Sequence, residues 1–203
     1  MKLYFTPGTC ALADHITLEW IGQPYETQLV TKEERKQPAY LAINPAGAVP
    51  ALDVDGWILT QNVAILNYLA DLDPDSKLGG DGSPESRAKI NQWLSLVNSD
   101  ILPLFKPFFG GVDYLDEAGV AKVRDTNRGM LRALFERVDQ QLDGKHYVVG
   151  ERSIVDPYLF VTLRWARGFK LDLSGLDNVH AFFARMHRDA GVRQALEAQG
   201  TPP

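Results

Sequence analysis

Cys10 is the only cysteine in this chain of 203 residues, and its setting is chemically suggestive. It follows a short apolar strand, Leu3 to Phe5, and a Thr-Pro-Gly-Thr turn, and it stands where an amphipathic helix begins. Backbone N–H groups at a helix start have no intrahelical partner, and the helix dipole puts partial positive charge there. A thiol in that place is expected to ionise more readily than a free one, and the thiolate is the form that reacts. A buried cysteine behaving as a small hydrophobe fits the same position. Two further pairs could do chemistry. Val49-Pro50 lies directly before a strand, where proline is unwelcome because it lacks an N–H. A cis bond there would turn the N–H and C=O of Val49 outward to pair with an extended peptide, and the alternative is a trans proline opening an edge strand. Gln61-Asn62 opens a helix, where side-chain amides and helix N–H groups together make a carboxylate site. Simple N-capping by Asn62 is the other reading.

The elements that must position these residues alternate through the first third of the chain. Leu12, Ile16, Glu19 and Trp20 keep helical spacing after Cys10, with Gly22 as the stop. Tyr25 to Val30 alternates as a second strand, and Tyr40 to Ile43 closes a short helix before Asn44-Pro45. Ala51 to Val54 and Trp57 to Thr60 form an antiparallel pair, because Asp55-Gly56 between them is a two-residue hairpin signal. Asn62 to Leu72 returns to helical period. The order is strand, helix, strand, helix, strand, strand, helix: a layered sheet with helices, ending near Asp73-Pro74.

The turn-rich stretch from Asp73 to Ser83 reads as a linker. Beyond it the period is helical almost throughout. Ser83-Pro84 is an N-cap followed by proline at the first helical position. Ile90, Trp93, Leu94, Val97 and Ile101 line one face until Pro103 and Pro107, which are expected to kink or stop the helix. A second long helix carries Val120, Val123, Met130, Leu134, Val138 and Leu142, and stops at Gly144. A third opens at Ser153-Ile-Val-Asp156 and is apolar nearly all round, which makes it the buried central helix. Val179 to Met186 and Val192 to Leu196 give two shorter ones.

Composition narrows the function classes. The chain is 45% hydrophobic with a net charge of −5, which argues against nucleic acid as the main partner. No apolar run is long enough to span a bilayer, so no membrane partner is expected. No His/Cys cluster has metal-ligand spacing, and no P-loop or dinucleotide fingerprint occurs. A strand at the very N-terminus without a signal region, together with a single cysteine, points to a reducing, cytoplasmic setting.

Over essentially its full length the chain resembles the glutathione transferases, specifically the bacterial beta class. The likeness is carried by Lys2-Leu-Tyr-Phe with Pro7-Gly-Thr-Cys10-Ala-Leu-Ala, by Asn44-Pro45-Ala-Gly47-Ala-Val49-Pro50-Ala-Leu52, and by Leu59-Thr-Gln61-Asn62-Val-Ala-Ile65-Leu-Asn-Tyr68-Leu-Ala-Asp71. It continues in Ser153-Ile-Val-Asp156-Pro-Tyr-Leu-Phe and Leu163-Arg-Trp165-Ala. The resemblance implies an α/β domain of thioredoxin-like fold over residues 1–77, followed by an all-α domain over 84–203. It implies glutathione as co-substrate, with no other cofactor and no metal. Cys10 would sit by the glutathione sulfur, Val49 and the cis-proline Pro50 would pair with its cysteinyl part, and Gln61 and Asn62 would hold the γ-glutamyl end. Arg35 falls near a family lysine that serves the glycyl carboxylate. Ser153 to Asp156 matches the family's N-capping box, a folding element. A homodimer is implied, in which Ser99 and Asp100 reach the glutathione of the partner subunit.

The chemistry expected is stabilisation of a thiolate for attack on a small apolar electrophile, with helix N–H groups and the Thr9 hydroxyl as donors. Phe108, Phe109, Tyr114 and Trp165 are the candidate walls of the electrophile pocket. The chain departs from the beta class in two places. Leu102-Pro103 stands where a His-Lys pair usually faces the glutathione sulfur, and Asn62 replaces a serine. His15, one turn after Cys10, is expected to serve the helix face. Two other functions stay open: thiol–disulfide exchange through a Cys10 mixed disulfide, and a non-catalytic carrier of glutathione and hydrophobic ligands.

Overall fold

The computed structural model describes residues 1–201. Four short strands form one sheet: β1 (Lys2–Phe5), β2 (Glu26–Leu29), β3 (Ala51–Val54) and β4 (Trp57–Thr60). Their spatial order is β2-β1-β3-β4, with β1 and β2 parallel and the other pairs antiparallel. The parallel pair needs a crossover, and α1 (Ala11–Ile21) supplies it, ending at Gly22, whose φ of 64° closes the helix in the left-handed region. Asp55 and Gly56 both take positive φ, 52° and 90°, as a tight hairpin turn demands. A short α2 (Pro38–Leu41) precedes β3, and α3 (Asn62–Leu72) follows β4. This is the thioredoxin-like arrangement. Leu3 and Leu52 face α1 and α3 in the main core. On the other side of the sheet Tyr4, Val30, Tyr40, Val49 and Ala51 form a smaller cluster.

The rest is helical: α4 (Pro84–Ser95), α5 (Leu102–Phe109), α6 (Glu117–Gln141), α7 (Val155–Gly168), α8 (Asp177–Arg188) and α9 (Ala190–Ala198). Ser83 caps α4 by accepting from Ser86 N–H, as its Ser-Pro start suggests. Of the two outcomes expected at Pro103 and Pro107, a kink or a stop, the stop is corrected. The chain runs on through a π-helical segment, Leu96–Ile101, into α5, which contains both prolines. A proline ring clashes with the carbonyl four residues back, and the wider π turn gives the Ser99 carbonyl room to move aside. On α5, Arg124 donates to the Pro107 carbonyl at 3.0 Å and Asn127 to that of Leu104 at 2.9 Å. Met130 is also corrected: it lies 51% exposed, and Leu131, Phe135 and Val138 form the buried stripe of α6.

α7 is the central helix, buried from Val155 to Leu163 and again at Ala166. Full burial of side chains such as Tyr158, Leu159 and Phe160 stabilises by about 1.5–3 kcal/mol apiece. α1 packs against α3, α7 and α9 together, so the helix that presents Cys10 is clamped from three sides. No helix among the described residues is long and apolar enough to cross a membrane.

Candidate active site

Three segments meet at the N-terminus of α1. The turn after β1 needs Gly8 at a φ of 78°, which only glycine adopts without strain. Cys10 then takes the N-cap position in helical conformation, with no side-chain capping bond. Its Sγ lies 3.9 Å from the carbonyl oxygen of Val49, to which the thiol donates. The Val49–Pro50 bond is cis. The loop before it is braced by two donors to the Ala48 carbonyl, the Tyr40 hydroxyl and Asn44 Nδ2, each at 2.7 Å. Gly47 is needed there because a Cβ would come within 2.9 Å of the Arg35 carbonyl. That close approach seats the Arg35 turn against the loop. Arg35 is half-buried, its Nε has no partner, and its charge acts on the Tyr40 hydroxyl.

The third segment is the start of α3. Gln61, not Asn62, is the N-cap, held at φ 75° and ψ 115° with no side-chain capping bond, so the capping reading of Asn62 is corrected. Asn62 is buried, and its amide nitrogen, oriented by its partners, donates to the Cys10 carbonyl at 3.2 Å and to Asp14 Oδ2 at 2.8 Å. It ties the starts of α1 and α3 together.

The expectation of an acidic Cys10 is corrected as well. The backbone N–H groups of Cys10 and Ala11 do favour the thiolate, as a helix start should. Burial outweighs them, and the Asp14 carboxyl adds to it, so the thiol is pushed up to about 12. The Thr9 hydroxyl is not available as a donor either, since its proton goes to the Thr6 carbonyl at 2.7 Å. His15 is no surface group: it is buried between the Tyr25 hydroxyl at 2.9 Å and Gln199 at 3.2 Å.

Beside this point lies an aromatic wall. Trp165 meets Phe105 and Phe109 with ring centroids 5.5 and 5.1 Å apart, and Phe169 joins Phe108 and Phe109 at 5.2 and 5.1 Å. A cavity of about 160 Å³ opens between Gly8, Thr9, Leu12, Val161, Arg164 and Trp165. Of the four aromatic residues expected at the pocket, Phe108, Phe109 and Trp165 come together. Tyr114 does not: it stands 81% exposed, outside the ring cluster. Ser99 and Asp100 are exposed on the π-helical segment. Phe105, Phe169 and Asp14 were not singled out in the sequence. Only Asp14 carried a signal, its spacing of one helical turn from Cys10.

Comparison with known proteins agrees with this geometry. Residues 14–77 match the glutathione S-transferase N-terminal domain model and residues 93–189 the C-terminal one. Glutathione S-transferase GST-4.5 of Xanthomonas campestris pv. campestris is 52% identical, over 98% of this chain and 99% of that protein. The chain belongs to the glutathione S-transferase family. A solved glutathione S-transferase from Xylella fastidiosa superposes with a TM-score of 0.97 at 48% identity, covering 99% of both chains. The bacterial beta-class glutathione S-transferase of Sphingomonas chungbukensis does so with a TM-score of 0.88 at 34% identity, covering 100% of both. The likeness to the beta class thus extends over the whole fold. Against that class, Leu102 is half-buried and Pro103 exposed, and neither can take or give a proton.

Proposed function

We propose that this transferase joins the thiolate of glutathione to small apolar electrophiles. The observation that carries the reading is the 3.9 Å approach of Cys10 Sγ to the Val49 carbonyl. It brings the positive end of α1 and the backbone of the cis-proline loop to one point, with an aromatic wall alongside. Glutathione is the co-substrate, lying extended along Val49 and Pro50. Gln61 and the backbone N–H of Asn62 at the α3 start receive its γ-glutamyl end, and Arg35 its glycyl carboxylate. Phe108, Phe109 and Trp165 hold the electrophile. Sulfur attack on the electrophilic carbon expels the leaving group, and the helix end stabilises the sulfur anion before attack. With the thiol of Cys10 pushed up to about 12, Cys10 is a neighbour of the reacting sulfur rather than its ionising partner.

The reading includes a homodimer, to which Ser99 and Asp100 present themselves and in which Trp57, half exposed and packed edge-on against Tyr68, finds cover. It divides the chain into residues 1–77 and 84–203, and it puts the protein in the cytoplasm, where a lone cysteine stays reduced. The test is conjugation of glutathione to a chlorodinitrobenzene, in the wild type and in Cys10→Ala. Turnover in both is expected. Turnover in neither overturns the reading, and loss confined to the variant makes Cys10 the thiolate-handling group.

A further inference from the structure

The cavity of about 160 Å³ beside the Cys10 turn has two sides. Gly8, Thr9 and Leu12 come from the turn before α1 and its first residues, and Val161, Arg164 and Trp165 come from α7. Leu12 and Val161 give it an apolar lining. Among the described residues, Arg164 is the only charged side chain that lines it. The other lining side chains with a proton to donate are engaged: the Thr9 hydroxyl with the Thr6 carbonyl at 2.7 Å, and the Trp165 indole with the Gly8 carbonyl at 2.9 Å. Arg164 is half-buried, with its guanidinium carbon 5.9 Å from the centre of the Phe160 ring. Burial lowers its pKa from the ordinary arginine value, so the cation is short of solvation where it stands. An anion alongside would restore what burial removes. A guanidinium carries five N–H donors in a fixed fork, and a contact along one edge leaves another edge for a carboxylate.

We propose that Arg164 makes this cavity a subsite for an acidic group on the electrophile, so that the favoured substrates are aromatic electrophiles carrying a carboxylate. The size agrees. A cavity of about 150 Å³ takes one benzene ring, so this one holds a carboxylate and the part of a ring that bears it. Trp165 lines the cavity and also meets Phe109 with ring centroids 5.1 Å apart, so the acid subsite runs on into the aromatic wall. Thr9 lines the same cavity and precedes Cys10, which turns the reacting carbon of such a substrate towards the start of α1. The acid takes no part in the bond changes. For an aryl chloride, the glutathione sulfur bonds to the ring carbon, the carbon–chlorine bond breaks with its electron pair, and chloride leaves. The carboxylate stays ionised beside Arg164 throughout, and its contribution is to choose and orient the substrate.

The role rests on the transferase reading, so turnover and binding are measured apart. Conjugation of glutathione to a chlorodinitrobenzoate is compared with that to the matching chlorodinitrobenzamide, each kcat/KM divided by the uncatalysed rate. The wild type should favour the acid by about tenfold or more, the worth of a hydrogen bond to a charged group. In Arg164→Gln that ratio should collapse to near one. Arg164→Lys keeps the charge but not the fork, and its ratio should lie between the two. Equal rates for acid and amide in the wild type overturn the proposal. So does a fall of both by one factor in Arg164→Gln, which is what a merely structural role gives. If Arg164→Gln does not fold, as judged by circular dichroism, Arg164→Lys decides by the same ratio, and an unchanged ratio overturns the proposal. Calorimetry with dinitrobenzoate and dinitrobenzamide, which lack the leaving group, reads the subsite without turnover. Tighter binding of the acid that is lost in Arg164→Gln, in a protein that conjugates neither electrophile, would remove the transferase reading and leave the Arg164 subsite standing.

Discussion

Trp165 donates its indole Nε1–H to the carbonyl of Gly8 at 2.9 Å. One partner is on the central helix α7 and the other in the turn that delivers Cys10, so a single hydrogen bond joins the aromatic wall to the start of α1. Trp165→Phe keeps an aromatic ring but removes the donor. The loss of one such bond costs about 1 kcal/mol, which as transition-state stabilisation is roughly a fivefold fall in kcat/KM. Steady-state kinetics varying the electrophile should show it mainly in KM if, as proposed, the ring binds that substrate, because it loses its anchor. An unchanged KM would mean that the Gly8 turn is held by other contacts.

The clamp on α1 has its own weak point at Gly191. A Cβ there would come within 2.7 Å of Trp20 Cδ1 and 3.2 Å of Glu19 Cβ. Trp20 cannot retreat easily: its Nε1–H donates to Asp189 at 2.8 Å, and Arg152 stacks on its ring at 4.8 Å. Gly191→Ala should therefore destabilise the fold by about 1–3 kcal/mol through overpacking. Urea unfolding followed by tryptophan fluorescence measures this directly. A neutral result would show that α9 can slide on α1 without cost.

Features fixed by local chemistry were legible in the sequence. The β3–β4 hairpin and α3 fall on the residues expected, because Asp55-Gly56 and the helical period of Asn62 to Leu72 act within a few residues. What was not legible depends on distant parts of the chain. The helix start does favour a Cys10 thiolate, yet desolvation of the thiol, with the Asp14 carboxyl one turn on, overrides it. Pro103 and Pro107 obey a local rule that would end a helix, but Arg124 and Asn127 from α6 bond to carbonyls of α5. Phe169 sits just past the end of α7, where periodicity no longer assigns a face, and only the folded chain turns it onto Phe108 and Phe109.

Asp156 gives a stability prediction with a pH sign. Its carboxyl is fully buried and accepts from Val148 N–H at 2.9 Å and Ser153 N–H at 2.7 Å. Asp156→Ala leaves those donors unpaired and should cost about 3 kcal/mol. Burial, opposed by these bonds, sets the carboxyl at about 7, above its unfolded value of 3.8. The folded state therefore binds the proton more tightly, and the contribution of this group is full below the unfolded value and is lost as pH rises through about 7. The stability difference between wild type and Asp156→Ala should shrink between about pH 5 and 7.5. A difference that grows over that range would reverse the sign of the shift.

His15 should behave in the opposite sense. Burial against Phe5, Tyr25 and Gln199 lowers its pKa from 6.5, although Glu19 pulls the other way. The fold holds the neutral ring, whose two nitrogens serve the Tyr25 hydroxyl and the Gln199 amide. Below 6.5 the unfolded chain gains a proton that the folded ring resists, so stability from this group is complete above 6.5 and falls as pH drops. His15→Gln keeps polar atoms in the space but cannot titrate. Urea unfolding at steps from about pH 5 to 7 should give a wild-type advantage over His15→Gln that grows with pH and levels off near the unfolded histidine value. Parallel curves for the two proteins would mean that Glu19 fully compensates burial and that His15 carries no pH dependence.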